Sequence, residues 1–179
     1  DKSTGSPMPP KIFKKYSKKS SASTIMSGNV STAKYLIIVE SPSKCAKIET
    51  YLGDDYCCIA SRGHLRTIDG LKSIDTKGDF APTFSIIPEK KDHIDAMRGI
   101  ISGFSKQHIL LATDDDREGE AIAWHICELF QLSVEDTPRI TFHEVTKPAL
   151  IDAVKRPTKI NMPLVKAQQA RQVLDVRSE

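Results

Sequence analysis

The sequence predicts an α/β fold built on a mostly parallel central sheet flanked by helices. Two observations carry that reading. Short apolar runs rich in β-branched or small residues recur at Tyr35–Val39, Tyr56–Ala60 and 109–112, each followed by an abrupt polar or acidic break. Segments with apolar residues three and four apart lie between and after them, the mark of amphipathic helices. Runs that are continuously apolar suit strands covered on both faces, and strands alternating with helices build a parallel sheet.

Taken in order, residues 1–33 are mostly Ser, Lys, Pro and Gly with few apolar groups. They cannot bury enough surface to offset the entropy of ordering, so a disordered basic tail is expected. Its KIFKKYSKK segment suits phosphate contact or a nuclear-type address, and equally a solvated leader. The first strand, YLIIV, ends on Glu40. Ser41 then offers an N-cap, Pro42 suits a first helical position, and the helix runs to about Leu52, where Gly53 stops it. Tyr56–Ala60 predicts a second strand, leading into Ser61-Arg62-Gly63-His64-Leu65. Residues 66–82 read as a long polar loop, followed by a short strand at 84–87.

Pro88 and Glu89 open a helix in which Ile94, Met97, Ile101 and Phe104 recur at helical spacing. The run 109–112 then ends in Thr113 and three aspartates. A helix is expected from Ala121, burying Ile122, Ile126 and Leu129 with Trp124 on a flank. Residues 139–142 predict another strand, Lys147-Pro148 starts a helix ending near Lys155, and residues 156–163 form a linker with two prolines. Residues 164–176 predict a final helix.

A chain of 179 residues fits one domain with a tail or the start of a second. The net charge of +3 conceals an asymmetry: seven lysines and one aspartate precede Tyr35, leaving the rest of the chain at −3. Composition alone therefore does not argue for nucleic acid. Cys45, Cys57, Cys58 and Cys127 lack CxxC spacing and a paired His pattern, so they read as reduced structural thiols and not as a zinc site. No apolar run approaches the ~20 residues of a membrane helix, so no membrane association and an intracellular location are expected.

The stretch with chemistry in it is HILLATDDDREGEAIAWHI, residues 108–126. Three acids at the end of a buried strand repel one another and invite a cation. Asp114 and Asp116 lie two apart in a turn, so their carboxylates can face one side while Asp115 faces away. In parallel sheets ligands sit beyond the carboxyl ends of the strands, and Glu40 shares that place with Asp114. With Glu118 they make a set of hard oxygen donors that suits Mg²⁺ better than zinc. An EF-hand is excluded, because the twelfth position counted from Asp114 is His125 and a strand precedes the turn. A solvated turn whose Glu118 and Glu120 favour a helix N-terminus is the plain alternative. Lys44, one turn after Glu40, could bind an anion or be a surface residue. Arg117 could contact phosphate or pair with the acids around it, and His64 could donate to phosphate or sit in a turn. There is no GxxxxGK[ST], HExxH or GxSxG motif.

The stretches LIIVESPSKCAKIETYLG, SRGHL, LLATDDDREGEAIAWHI, FHEVT and KAQQARQVLD, in this order, resemble the N-terminal part of a type IA DNA topoisomerase, the part that holds its Toprim domain. The resemblance spans about residues 35–175. It implies a Toprim, Rossmann-like domain at 34–156, with 157–179 as a linker and the start of a helical, DNA-contacting domain. It further implies that Asp114, Asp116, Glu118 and Glu40 hold Mg²⁺, with Mn²⁺ as a substitute. Glu40 would also move the proton at the leaving 3′-oxygen, and Lys44 and Arg117 would position the scissile phosphate, making these three the catalytic residues. His64, Arg171 and Asp175 would join Lys44 and Arg117 in contacting DNA. The activity implied is relaxation of negatively supercoiled DNA, without ATP and without zinc in this region. It proceeds by single-strand cleavage through a 5′-phosphotyrosine, strand passage and religation.

Tyr16, Tyr35, Tyr51 and Tyr56 all lack the family's flanking motif, so the nucleophile is expected to be absent from this chain. The chain then reads as a monomeric fragment that binds the metal and single-stranded DNA, works with the remaining topoisomerase domains, and does not relax DNA alone. Asp115 stands where bacterial relatives often carry an apolar residue. The competing readings are a Toprim-type metal-dependent nuclease or primase and a non-catalytic module with a vestigial site.

Overall fold

The computed structural model describes residues 33–68 and 82–177. The expected disordered tail and most of the 66–82 loop lie outside the described residues. A central sheet joins three parallel strands in the order β2-β1-β5: β1 Tyr35–Val39, β2 Tyr56–Ala60 and β5 Ile109–Leu111. Ile37 stands beside Cys58 on one side and Leu110 on the other. The strands are buried on both faces, which explains their unbroken apolar runs. Leu36, Ile38, Cys57, Ile59, Ile109 and Leu111 face one core, and Ile37, Val39, Cys58, Ala60 and Leu110 face the other.

The first core is covered by α2 (Lys91–Ile101), α3 (Arg117–Phe130) and α5 (Met162–Arg177), through Ile94, Met97, Ile122, Ile126 and Val165. The second is covered by α1 (Cys45–Leu52) and α4 (Lys147–Lys155), through Ile48, Leu150 and Ala153. α1 follows a 3-10 turn at Pro42–Lys44, and Pro88–Lys90 forms a similar turn before α2. Thr146 caps α4, its hydroxyl accepting from Ala149 N at 3.4 Å. All four cysteines are buried, and none forms a disulfide. No described helix is long and apolar enough to cross a membrane.

The structure departs from the sequence reading in several places. Arg66–Ile68, at the start of the expected loop, forms strand β3 and pairs antiparallel with β4 (Phe84–Ile86) as a separate two-stranded sheet. The expected strand at 139–142 reduces to isolated bridges of Arg139 with Leu111 and Thr158. Thr158 lies inside the expected linker, which is therefore partly structured. α3 starts at Arg117, four residues earlier than expected, because Asp116 caps it.

Candidate active site

The acidic turn hangs from the carboxyl end of β5. Ala112 N still bonds Ile38 O at 2.8 Å, so the register of β5 against β1 carries Glu40 to the side of the turn. There Glu40 Oε1 accepts from the Asp114 N–H at 2.8 Å. Lys44, at the end of the 3-10 turn, reaches the same residue from the other direction, with Nζ 3.1 Å from Asp114 Oδ1. Burial pushes the Glu40 carboxyl above its usual range, helped by the charges of Asp114 and Asp116 and opposed by the Asp114 N–H and Lys44. Three acids therefore share one electrostatic environment.

Asp116 has extended backbone, and its Oδ1 accepts from Gly119 N at 2.6 Å. That is an N-cap, with Glu118 and Glu120 in the first turn complementing the helix dipole. Thr113 is buried and donates its hydroxyl to Gly119 O at 2.7 Å. Gly119 is pressed so closely on the turn that an added Cβ would stand 2.7 Å from the Asp114 carbonyl carbon and 2.9 Å from its nitrogen. Only glycine lets the strand end and the helix start approach this far.

Arg139, fully buried, fixes the turn from beneath. Its Nε donates to Glu120 Oε1 at 3.1 Å, Nη1 donates to Thr113 O at 2.6 Å, and Nη2 donates to Asp114 O at 2.7 Å. Glu120 Oε2 accepts from Asn161 N at 3.0 Å, tying in the segment before α5. A buried ion pair of this kind needs its remaining donors satisfied, and here the strand-end carbonyls satisfy them. The sequence reading missed Arg139 and the pairing of Glu120 with it. The available signal was an arginine heading an apolar run, since a buried arginine demands a partner.

His64 follows a turn in which Arg62 and Gly63 both have left-handed backbone, at φ 60 and 84. Lys90 Nζ donates to Arg62 O at 2.6 Å, and His93 Nε2 bonds Ala60 O at 2.8 Å. The start of α2 thus holds this turn from behind, another contribution the sequence did not reveal. Burial lowers the His64 pKa, and the charge of Glu118 opposes this. His64 Nδ1 and Arg117 Nε are buried atoms without a hydrogen-bond partner among the described residues. Arg171 and Asp175 lie exposed on α5, whose Val165 shares the core with α3. The structure thus joins Glu40, Lys44 and Asp114 directly, starts α3 with Arg117 and Glu118, and turns the Asp116 carboxylate toward that helix.

A family model described as the Toprim domain matches residues 35–145. The chain belongs to the Toprim family. This Toprim chain is 37% identical over 164 residues to DNA topoisomerase 1 of Mycobacterium tuberculosis, covering 83% of the chain and 17% of that protein. It is 46% identical over 147 residues to DNA topoisomerase 1 of Helicobacter pylori, covering 79% of the chain and 19% of the relative. The structure of full-length topoisomerase I from Thermotoga maritima superposes with a TM-score of 0.71 at 37% identity, over 79% of the chain and 24% of that structure. The Toprim chain therefore spans about a fifth of the length of the curated relatives it matches.

Among the described residues of the Toprim chain, no three His, Cys, Asp or Glu side chains are grouped tightly enough to hold an ion as they stand. The donors nevertheless fit one. Glu40 Oε2, Asp114 Oδ2, Asp116 Oδ2 and both Glu118 oxygens make no described hydrogen bond, while Lys44 supplies a cation in the midst of the acids. Hard, partly exposed oxygens without nitrogen or sulfur partners suit Mg²⁺ or Mn²⁺.

Proposed function

We propose that the chain is the Mg²⁺-binding Toprim part of a type IA DNA topoisomerase, with 34–156 as that domain and 157–179 as the linker and start of a DNA-contacting one. The observation that carries this reading is the junction at Asp114, where the loop after β1 and the turn after β5 exchange a hydrogen bond and an ion pair. The 37–46% identity with proteins named DNA topoisomerase 1 supports the same activity.

In this reading Asp114, Asp116, Glu118 and Glu40 hold Mg²⁺, or Mn²⁺ in its place. The bound metal would supply positive charge to phosphate oxygens as negative charge develops on them. Lys44 and Arg117 orient the scissile phosphate, the Arg117 Nε lacking a described protein partner. Glu40 delivers or removes the proton at the leaving 3′-oxygen, a task for which its raised pKa suits it. His64, Arg171 and Asp175 contact DNA beside the site. No ATP and no zinc enter the proposal.

The attacking tyrosine belongs to a part of the enzyme outside residues 1–179. Tyr35 stacks on Tyr56 at a centroid distance of 5.0 Å, at the amino end of the sheet. Tyr35 stands five residues before Glu40, roughly 16 Å along an extended strand. Tyr51 is half-buried on α1 and packs in the core under that helix. The whole enzyme would act as a monomer on negatively supercoiled and single-stranded DNA inside the cell.

The full enzyme containing this chain should relax negatively supercoiled plasmid with Mg²⁺ and without ATP, and Glu40→Ala should abolish or sharply reduce relaxation. The 179-residue chain alone should not relax plasmid. Metal-dependent DNA cleavage by the 179-residue chain, with no covalent protein–DNA adduct, would replace this reading with a Toprim-type nuclease.

A further inference from the structure

Resting on that reading, we infer that Lys44 is an internal counterion that competes with the metal for Asp114, so that metal and phosphate bind the site cooperatively. Lys44 Nζ lies 3.1 Å from Asp114 Oδ1, and their side chains are 36% and 45% exposed. An ion pair this exposed is weak and reversible, and the flexible lysine stem can swing to another partner. The Asp114 main chain cannot follow it, because its N–H is held by Glu40 and its carbonyl by Arg139.

A divalent ion on the Asp114 carboxylate would stand beside the ammonium and repel it. Without an anion nearby, metal entry therefore sends Lys44 into solvent and forfeits its attraction to the acids. A phosphate diester gives the displaced ammonium a new partner, so each ligand removes an obstacle to the other. By linkage the coupling is reciprocal: Mg²⁺ should tighten DNA to the same degree that DNA tightens Mg²⁺.

Calorimetric titration of the 179-residue chain with Mg²⁺, with and without a short single-stranded oligonucleotide, tests this. Lys44→Gln should tighten Mg²⁺ about two- to fivefold in the absence of DNA, the range expected for losing one exposed ion pair. The oligonucleotide should tighten Mg²⁺ for the parent by a similar factor and leave the Lys44→Gln variant nearly unchanged. Lys47→Gln removes a charge from an exposed residue on the adjoining α1 and should leave Mg²⁺ affinity within twofold (about the scatter of one weak surface charge). The inference is overturned if Lys44→Gln binds Mg²⁺ no tighter than the parent, or if Lys47→Gln tightens it equally. Failure of the underlying metal reading looks different: Asp114→Asn/Asp116→Asn would then leave the Mg²⁺ isotherm of the parent unchanged.

Discussion

Arg139 and Glu120, nineteen positions apart, meet as a buried ion pair at 3.1 Å directly beneath the acidic turn. The guanidinium also collects the carbonyls of Leu111, Thr113, Asp114 and Ile140. Replacing it with Met should leave Glu120 charged and unpaired in the core. Loss of about 3–5 kcal/mol is expected for breaking such a pair from one side, measured by urea denaturation. The double substitution Arg139→Met/Glu120→Leu should recover part of that loss, since no buried charge then remains.

Gly119→Ala should be costly despite its small size. The new methyl would press on the Asp114 backbone, and neither the capped helix nor the strand end can retreat without breaking the Thr113 and Asp116 bonds. Overpacking of this kind costs typically about 1–3 kcal/mol. Alanine ordinarily strengthens a helix, so a stabilised variant in thermal melts would contradict the close approach.

Asp116 separates stability from ion binding. Asp116→Ala removes the cap of α3 and should cost about 0.5–2 kcal/mol, whereas Asp116→Asn keeps an accepting oxygen and should remain within a few tenths of the parent. Under the proposed function both should weaken Mg²⁺ binding. Paired melting curves and Mg²⁺ titrations on the two variants check the division.

His125 predicts an acid sensitivity. Burial, with the charges of Arg66 and His64, lowers its pKa from 6.5 to about 3. Arg66 Nε donates to His125 Nδ1 at 3.0 Å, which requires a neutral ring with the proton on Nε2. A folded pKa below the unfolded one contributes stability that is fully present above pH 6.5 and is lost as pH falls toward 3. Glu40 acts in the opposite sense, so the comparison must be with His125→Gln, which can still accept from Arg66. Urea stability of the parent should fall more steeply than that of His125→Gln between these pH values.

Much of the fold could be read from the chain because the signals were local. Tyr35–Val39 and Tyr56–Ala60 are apolar throughout since helices cover both faces of the sheet. Glu40 and Asp114 could be brought together on topology alone, as both end neighbouring parallel strands. The misses were places where a distant partner decides. Arg139 looked like the first residue of a strand, but its backbone is shared between Leu111 and Thr158 and its side chain turns inward to Glu120. β3 and β4 lie either side of residues 69–81, and no short turn signal links them. The stretch from Arg117 to Glu120 resembled a continuation of the acidic turn, and the Asp116 cap makes it the first turn of α3.

Asp114 offers a last consequence. Its amide hydrogen points to Glu40, its carbonyl to Arg139, and Gly119 closes against its backbone. Two segments remote in sequence and the nearby Gly119 thus hold the main chain of this residue, leaving χ1 and χ2 as its soft coordinates. If Asp114 holds the metal as proposed, the backbone part of its ordering entropy is lost in folding and not in binding. Under the proposed function, a core substitution that loosened Arg139 or Gly119 would therefore register as weaker ion affinity, even though neither side chain is among the proposed ligands.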